Sequence, residues 1–489
     1  MFAAGKRFMQ QRCASHGGAV LHSISVHADR AYAASYLQSK CFMFAAGKRF
    51  MQQRCASHGR AVLHSISVHA EGNKMSYIDP NNFTGSDIEK INAAVLAAQK
   101  EDGVVRIGRR KADDGRNFWL IDSAILLPEN TTLIVSNTKI KLSDISRDNF
   151  VRSANCIVGN KEIPFLENIH IIGEGNAIFE GADHPRATGD GGKTLTIGRL
   201  NPYPPSVNWS QRPTYGTDAG KEGECQTGDW RNIGILLVKV EDFSIRNITV
   251  RNPHCWGISL EYCRNGLVRD IQFEEKEYVM IDGYLERGLN RDGLDLRRGC
   301  RDISIENITG FSGDDLIALT AIAPLNRDRE PGMYGRTEFY GAPEDVREDD
   351  VFNISIRNVR GYSSGGYFVI RFLNQKGVRM HDIQVTGVLD TAPDDVNGFG
   401  CIKLGDPAYG GAAAPGETWN FLISNIQTHE KKAIIIGAPL QDSMISDILF
   451  YKKSDVHVLI GYHDCTPSVL NRVTLNNLIT IDRTKDGKI

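Results

Sequence analysis

The feature that most restricts the fold of this chain is a short phrase that keeps returning: a β-rich stretch in which Asn or Asp precedes an apolar residue. It reads "VEDFSIRNITV" at Asn247, "GLVRDIQF" at Asp270, "CRDISIENITG" at Asn307 and "VFNISIRNVRG" at Asn358. It continues as "GVRMHDIQVTG" at Asp382, "NFLISNIQT" at Asn425, "SMISDILFY" at Asp447 and "RVTLNNLIT" at Asn477. Successive intervals are 23, 37, 51, 24, 43, 22 and 30 residues. The shortest cluster at 22–24, and the longer ones fit one turn plus an inserted loop or nearly two turns. That period with strand chemistry predicts an all-β fold, a single-stranded right-handed parallel β-helix whose coils stack about 4.8 Å apart. Asn and Asp suit the tight bends of a coil because they tolerate left-handed backbone geometry and stack as ladders. A β-sandwich or propeller is the competing reading, but hairpin turn pairs at regular spacing are scarce. The Asn-x-Ser/Thr matches at Asn247, Asn307 and Asn353 fall inside the phrase, where ladder geometry explains them better than glycosylation.

Ahead of the repeats, "SDIEKINAAVLAAQKEDG" predicts a helix. Ser86 and Glu89 stand at capping-box spacing, Ile88, Ile91, Val95 and Ala98 share one face, and Gly103 supplies a stop. Such an amphipathic helix would cap the open end of a solenoid core. "VVRIGRR" and "TTLIVSNTKIKL" then read as strands.

Residues 1–74 are different. Residues 1–28 recur at 43–70 with Gly18 replaced by Arg60 as the only change. Repeated structural units normally diverge except at core positions, so this looks like duplicated DNA rather than a duplicated fold. The segment is rich in Arg and poor in acid, as transit peptides are, and lacks the continuous apolar core of a secretory signal. The expectation is a dispensable or disordered leader over 1–74, with Met75 as the functional start and 75–489 as one catalytic domain in the cytoplasm. No apolar stretch approaches the ~18 residues of a membrane helix.

Charge narrows the partners. The whole chain has a net charge of −2, but residues 1–74 carry ten Lys/Arg against two acids, which leaves 75–489 at −10. A body that acidic does not attract nucleic acid through bulk charge. Ten cysteines divide three and seven between the leader and the rest, with no Cys-x-x-Cys, so buried thiols are expected rather than disulfides or a zinc cluster. No metal and no cofactor are expected.

The chemistry concentrates in "NRDGLDLRRGCRDISIENITGFSGDDLIALTA" (290–321). In a parallel β-helix, residues at one place on successive coils lie side by side. Asp292 and Asp314 are 22 residues apart, one short coil, so Asp292, Asp295, Asp314 and Asp315 should gather on one face. Clustered carboxylates repel, which is costly as structure but raises one pKa and leaves a proton donor beside ionised bases. A calcium site or a solvated acidic face is the alternative.

These residues resemble polygalacturonase-like enzymes, glycoside hydrolase family 28, which are parallel β-helices of the pectin-lyase-like kind. The family carries Asn-Thr-Asp-Gly, Gly-Asp-Asp, Gly-His-Gly and Arg-Ile-Lys along one cleft. "NRDGLDL" (290–296) and "GDDLIAL" (313–319) are similar to the first two, and "GCIKLGD" (400–406) to the last at Ile402-Lys403. Arg291 stands where the family has Thr, and Cys401 where it has Arg. In the place of Gly-His-Gly, "SSGGYFVIRFL" offers Tyr367 and Phe368. The resemblance implies inverting hydrolysis of a glycosidic bond in a pectin-related or other plant or microbial oligosaccharide. Asp314 would be the acid, and Asp292 with Asp315 would hold the water. Asp295, Tyr367, Arg371 and Lys403 would bind or support the sugar, with Arg371 taking the place of the lost Arg.

Insertions at 184–232 and 322–350 are expected to wall the cleft, with Tyr203, Trp209, Tyr215, Trp230, Tyr334 and Tyr340 available for stacking on sugar rings. His254 and Trp256, about two coils before Asp292, are expected in satisfied core roles. The rival functions are a polysaccharide lyase, a non-catalytic carbohydrate-binding or tailspike-like solenoid, and a uronate epimerase. The oligomeric state is not encoded in these patterns.

Overall fold

The computed structural model describes residues 76–481 apart from 113, 147, 158–162, 185–229, 282–283, 288–290, 322–345, 397, 406–412, 431, 452–455 and 461–469. The leader, Asn290 and the loop aromatics Tyr203, Trp209, Tyr215, Tyr334 and Tyr340 lie outside the described residues.

Helix α1 (Asp87–Ala98) starts where the capping box places it. The Ser86 side chain accepts from the Glu89 N–H, and Glu89 Oε2 accepts from the Ser86 N–H at 2.7 Å. Ile88, Ile91, Val95 and Ala98 all enter the main core. The chain then winds as a right-handed parallel β-helix. Each coil has one long strand and one short strand, and each pairs in parallel with its counterpart on the next coil. Long strands such as Arg264–Glu274, Arg301–Ser312 and Val351–Ser363 make one sheet. Short strands make the second, among them β1 (Ile258–Glu261), β2 (Leu294–Arg297), β3 (Ile317–Ala321), β4 (Phe368–Asn374) and β5 (Gly400–Leu404).

The recurring phrase is the backbone's bending device. Asn247, Asp270, Asn307, Asn358, Asn425, Asp447 and Asn477 all have φ between 50° and 58°, where most L residues are strained. Their side chains form rungs: Asn358 Nδ2 donates to Asn307 Oδ1, and Asn307 Nδ2 to Asp270 Oδ1, each at 2.7 Å. Asp382 belongs elsewhere. Register pairs Thr386 with Arg357 and Val388 with Val359, so the rung beside Asn358 is Gly387, at φ 75°. Asp382 sits on a second left-handed ladder with Asn353 and Asp302, where Asn353 Nδ2 donates to Asp302 Oδ1 at 2.5 Å. The sequence intervals of 24 and 43 therefore mixed two ladders.

Between rungs the inward side chains, mostly Ile, Val, Leu and Phe, stack into one long core. Burying each contributes about 1.5–3 kcal/mol. Among the described residues no disulfide forms, and Cys156, Cys255, Cys263, Cys300 and Cys401 are buried. No helix among them is long and apolar enough to cross a membrane.

Candidate active site

The site lies where the chain enters β2, β3 and β4 on neighbouring coils. Strand pairing of Leu294 with Ile317 fixes a step of 23 residues, so Asp292 is matched with Asp315 and Arg291 with Asp314. The expected pairing of Asp292 with Asp314 is off by one. Backbone bonds lock this register: Gly293 N–H donates to Asp315 O at 3.0 Å, and Arg291 O accepts from Gly313 N–H at 2.8 Å and Asp314 N–H at 2.9 Å.

The carboxylates converge. One oxygen from each of Asp292, Asp314 and Asp315 lies within 4.8 Å of the others. All three are buried, with Asp292 and Asp314 keeping 9% and 7% of their surface and Asp315 only 1%. Asp292 Oδ1 accepts from the Asp315 N–H at 3.0 Å. Asp315 Oδ1 accepts from the Phe368 N–H at 3.1 Å, and its Oδ2 from Arg371 Nη1 at 3.2 Å.

Electrostatics follow from this crowding. Burial holds the Asp292 carboxyl well above the usual carboxylate range, and Asp295, Asp314 and Asp315 push it further against the pull of Arg371. Asp315 rises to about 6, chiefly through burial, with Asp314 adding and Arg371 and the Phe368 N–H opposing. Both shifts favour the protonated carboxyl, and a proton held there belongs to the group rather than to one residue.

Residues beyond the strand starts form a row across the outer face of the short-strand sheet. Ser259, Asp295, Ala318, Arg371 and Lys403 occupy it in register. Arg371 thus faces the carboxylates, which strand parity alone left open. Lys403 is its neighbour, and its Nζ lies 5.2 Å from the Phe368 ring centre. Asp295 is fully buried in this row. Tyr367 is half-buried beside them, its N–H donating to Ser363 Oγ at 3.0 Å. Cys401 does not reach the cleft; like Val369 on the preceding coil it turns into the core.

Other expectations change. Trp230 is fully buried in a separate apolar cluster with Trp256, Cys255 and Leu236, so it is no stacking surface for sugar. Trp256 lies one coil from Asp292 rather than two, since Ile258 pairs with Leu294. It packs in that cluster, and His254 Nε2 accepts from the Ala182 N–H at 3.3 Å, so both take structural roles.

Three contributors were not singled out as site residues. Arg291 is fully enclosed and ties the site to the end of the long strand that precedes it on the same coil, donating from Nη1 to Lys276 O at 2.7 Å. Burial pulls its pKa down to about 10, against the nearby Glu275. Glu275 is itself enclosed, and burial pushes its carboxyl well above the usual carboxylate range, against the pull of Arg291. Glu275 belongs to no motif, and Arg291 stood out in the sequence only as a departure within "NRDGLDL". Phe399 is the third, an exposed ring whose centre lies 6.1 Å from that of Tyr367.

The carboxylate trio has the separation a divalent cation would need. Both oxygens of Asp315, however, are already engaged by Phe368 and Arg371, and a guanidinium beside the trio competes with an added cation. What the arrangement offers directly is three buried carboxyls within reach of one another, beside a guanidinium.

No family model and no curated protein matches the chain. Solved structures do. An exopolygalacturonase from Thermotoga maritima matches at 13% identity and TM-score 0.46, over 83% of this chain and 92% of that one. A tailspike mutant of E. coli bacteriophage HK620, in complex with a pentasaccharide, matches at 12% and 0.44, over 83% and 66%. The A-module of an Azotobacter vinelandii mannuronan C-5 epimerase matches at 11% and 0.37, over 83% and 95%. No activity is taken from these likenesses. Fold and site together define a parallel β-helix protein with a carboxylate cluster on the outer face of its short-strand sheet.

Proposed function

We propose that the protein is a glycoside hydrolase that cleaves a pectin-related or other plant or microbial oligosaccharide by an inverting acid–base mechanism. The observation that carries this is the convergence of Asp292, Asp314 and Asp315 within 4.8 Å, all three buried together beside Arg371. A glycosidic oxygen leaves only when protonated, and the anomeric carbon needs an activated water. In this reading Asp314 delivers the proton to the leaving oxygen, while Asp292 and Asp315 hold the water. Arg371 keeps Asp315 oriented, Lys403 contributes positive charge to the sugar site, and Asp295 stiffens the floor.

A polysaccharide lyase would need a neutral base to remove a proton from the sugar ring. Arg371 is bonded to Asp315 and stays charged, which leaves Lys403 as the residue a lyase would have to use. The test is a panel of defined oligosaccharides read both for new reducing ends and for ultraviolet absorbance. Hydrolysis gives reducing ends without absorbance. A lyase gives absorbance from its new double bond, and a binding-only solenoid gives neither.

A further inference from the structure

We propose that Phe399, with Tyr367 beside it, is the stacking platform for a sugar ring bound next to the carboxylates, and that it takes a pyranose by its C–H face. The proposal deepens the glycosidase reading above and rests on it for the identity of the ligand as a sugar.

Phe399 leaves 54% of its surface in water. Folding does not reward an exposed ring, yet this one is held firmly. Its N–H donates to Gly366 O at 2.9 Å. The preceding Gly398 lies so close to Glu430 that a Cβ there would come within 2.3 Å of the carboxyl group. The segment is thus fastened on one side and pressed against a neighbouring coil on the other. The ring centre is 6.1 Å from Tyr367 and 6.4 Å from Phe368, tilted to both. Phe368 is the residue whose N–H binds Asp315, so the aromatic group adjoins the carboxylate cluster through a single residue.

An exposed, anchored ring bordering a cluster of carboxyls suits a ligand that is polar at its rim and apolar on its face. A pyranose has that character, and aromatic faces stack on it. The platform is uncharged and reads the ring face, so it should serve neutral and acidic sugars alike.

The experiment uses the full chain carrying Asp314→Asn, which should bind without turnover, and the same chain with Phe399→Ala or Phe399→Trp added. The probes are trigalacturonate, galactotriose and a rhamnose–galacturonate tetrasaccharide, titrated by NMR. Phe399→Ala should weaken whichever sugar binds by roughly tenfold or more, and Phe399→Trp should restore it. In the otherwise wild-type chain Phe399→Ala should raise KM by a similar factor with kcat nearly unchanged, because stacking is made equally before and during reaction. Equal affinity with and without the ring would overturn the platform, as would the absence of binding by all three sugars. Binding that depends on Phe399 in a protein that cleaves nothing would keep the platform and remove the hydrolase reading. Cleavage indifferent to Phe399 would do the reverse.

Discussion

Asp315 gives its backbone N–H to the Asp292 side chain at 3.0 Å, so two carboxylates that repel are joined through a main-chain bond on adjacent coils. A small movement of either coil disturbs both. Asp314 follows the same coil edge, its N–H held by Arg291 O. Substitution at any of the three should therefore act on the unit.

The first prediction is on turnover. Asp314→Asn should lower kcat by about 10²–10⁴-fold while the substrate still binds, since Asn keeps the shape but cannot deliver a proton. Asp292→Asn and Asp315→Asn should be similarly damaging, and double variants should lose little more. Steady-state kinetics on the first substrate found would check this, and an Asp314→Asn protein retaining most of its activity would place the proton donor elsewhere.

Arg371→Gln should move the acid limb of the pH–rate profile upward. Arg371 lowers the pKa of Asp315 from two directions, by charge and by hydrogen bond. Removing it leaves Asp315 protonated to higher pH, so activity that needs the ionised form appears later on the alkaline side. Arg371→Lys should recover part of the shift by keeping the charge.

Stability should depend on pH in the opposite sense to that of an ordinary salt-bridged carboxylate. Asp315 titrates near 3.8 unfolded and about 6 folded, so the native state holds more protons between those values. Its contribution is most favourable below pH 4, declines as pH rises to about 6, and is then constant, a cost on the order of 3 kcal/mol at neutral pH. Asp292 acts in the same direction. Asp292→Asn should therefore melt higher than the wild type at pH 8 and about equally at pH 4. A lower melting temperature at pH 8 would show that its ionised form is stabilising.

Product configuration is a separate test. The 4.8 Å gathering of carboxyl oxygens is tighter than the ~6.5–9.5 Å usual for inverting pairs and nearer the about 5–5.5 Å of retaining ones. Inversion is still expected, because both Asp315 oxygens are already bonded, which makes it a poor nucleophile. Asp292 beside it leaves a pair of carboxyls to hold a water while Asp314 serves as the acid. Proton NMR of the first-formed product should show the inverted anomer; the retained anomer would make one of the aspartates a nucleophile.

Polygalacturonate itself should be a poor substrate. Tyr367 stands where the family has His, and Cys401, in the place of its Arg, points into the core. Rapid endo cleavage of that polymer, followed by viscosity, would contradict this.

The sequence carried the solenoid plainly because 18 of the 21 left-handed non-glycine residues described are Asn or Asp, types enriched in that region, and one appears on almost every coil. It did not separate Asp382 from its neighbours, because both ladders use the same residue types and the true rung, Gly387, looks like any loop glycine. The Asp292 register was one residue out because two adjacent aspartates are equally plausible partners until strand hydrogen bonds choose. Trp230 and Phe399 show the remaining limit. Both are aromatics outside the repeated phrase, and only packing shows that Trp230 is enclosed in a cluster while Phe399 stays exposed.

The bending ladders also fix a length scale. Strand stacking holds successive coils about 4.8 Å apart wherever one looks along the axis, so the spacing between Asp292 and Asp315 is a lattice constant of the backbone. A descendant chain could carry the same acidic steps one rung up or down and meet different loops, while the distances inside the site stayed the same. In such a scaffold, chemistry can be transposed like a phrase of music to another key.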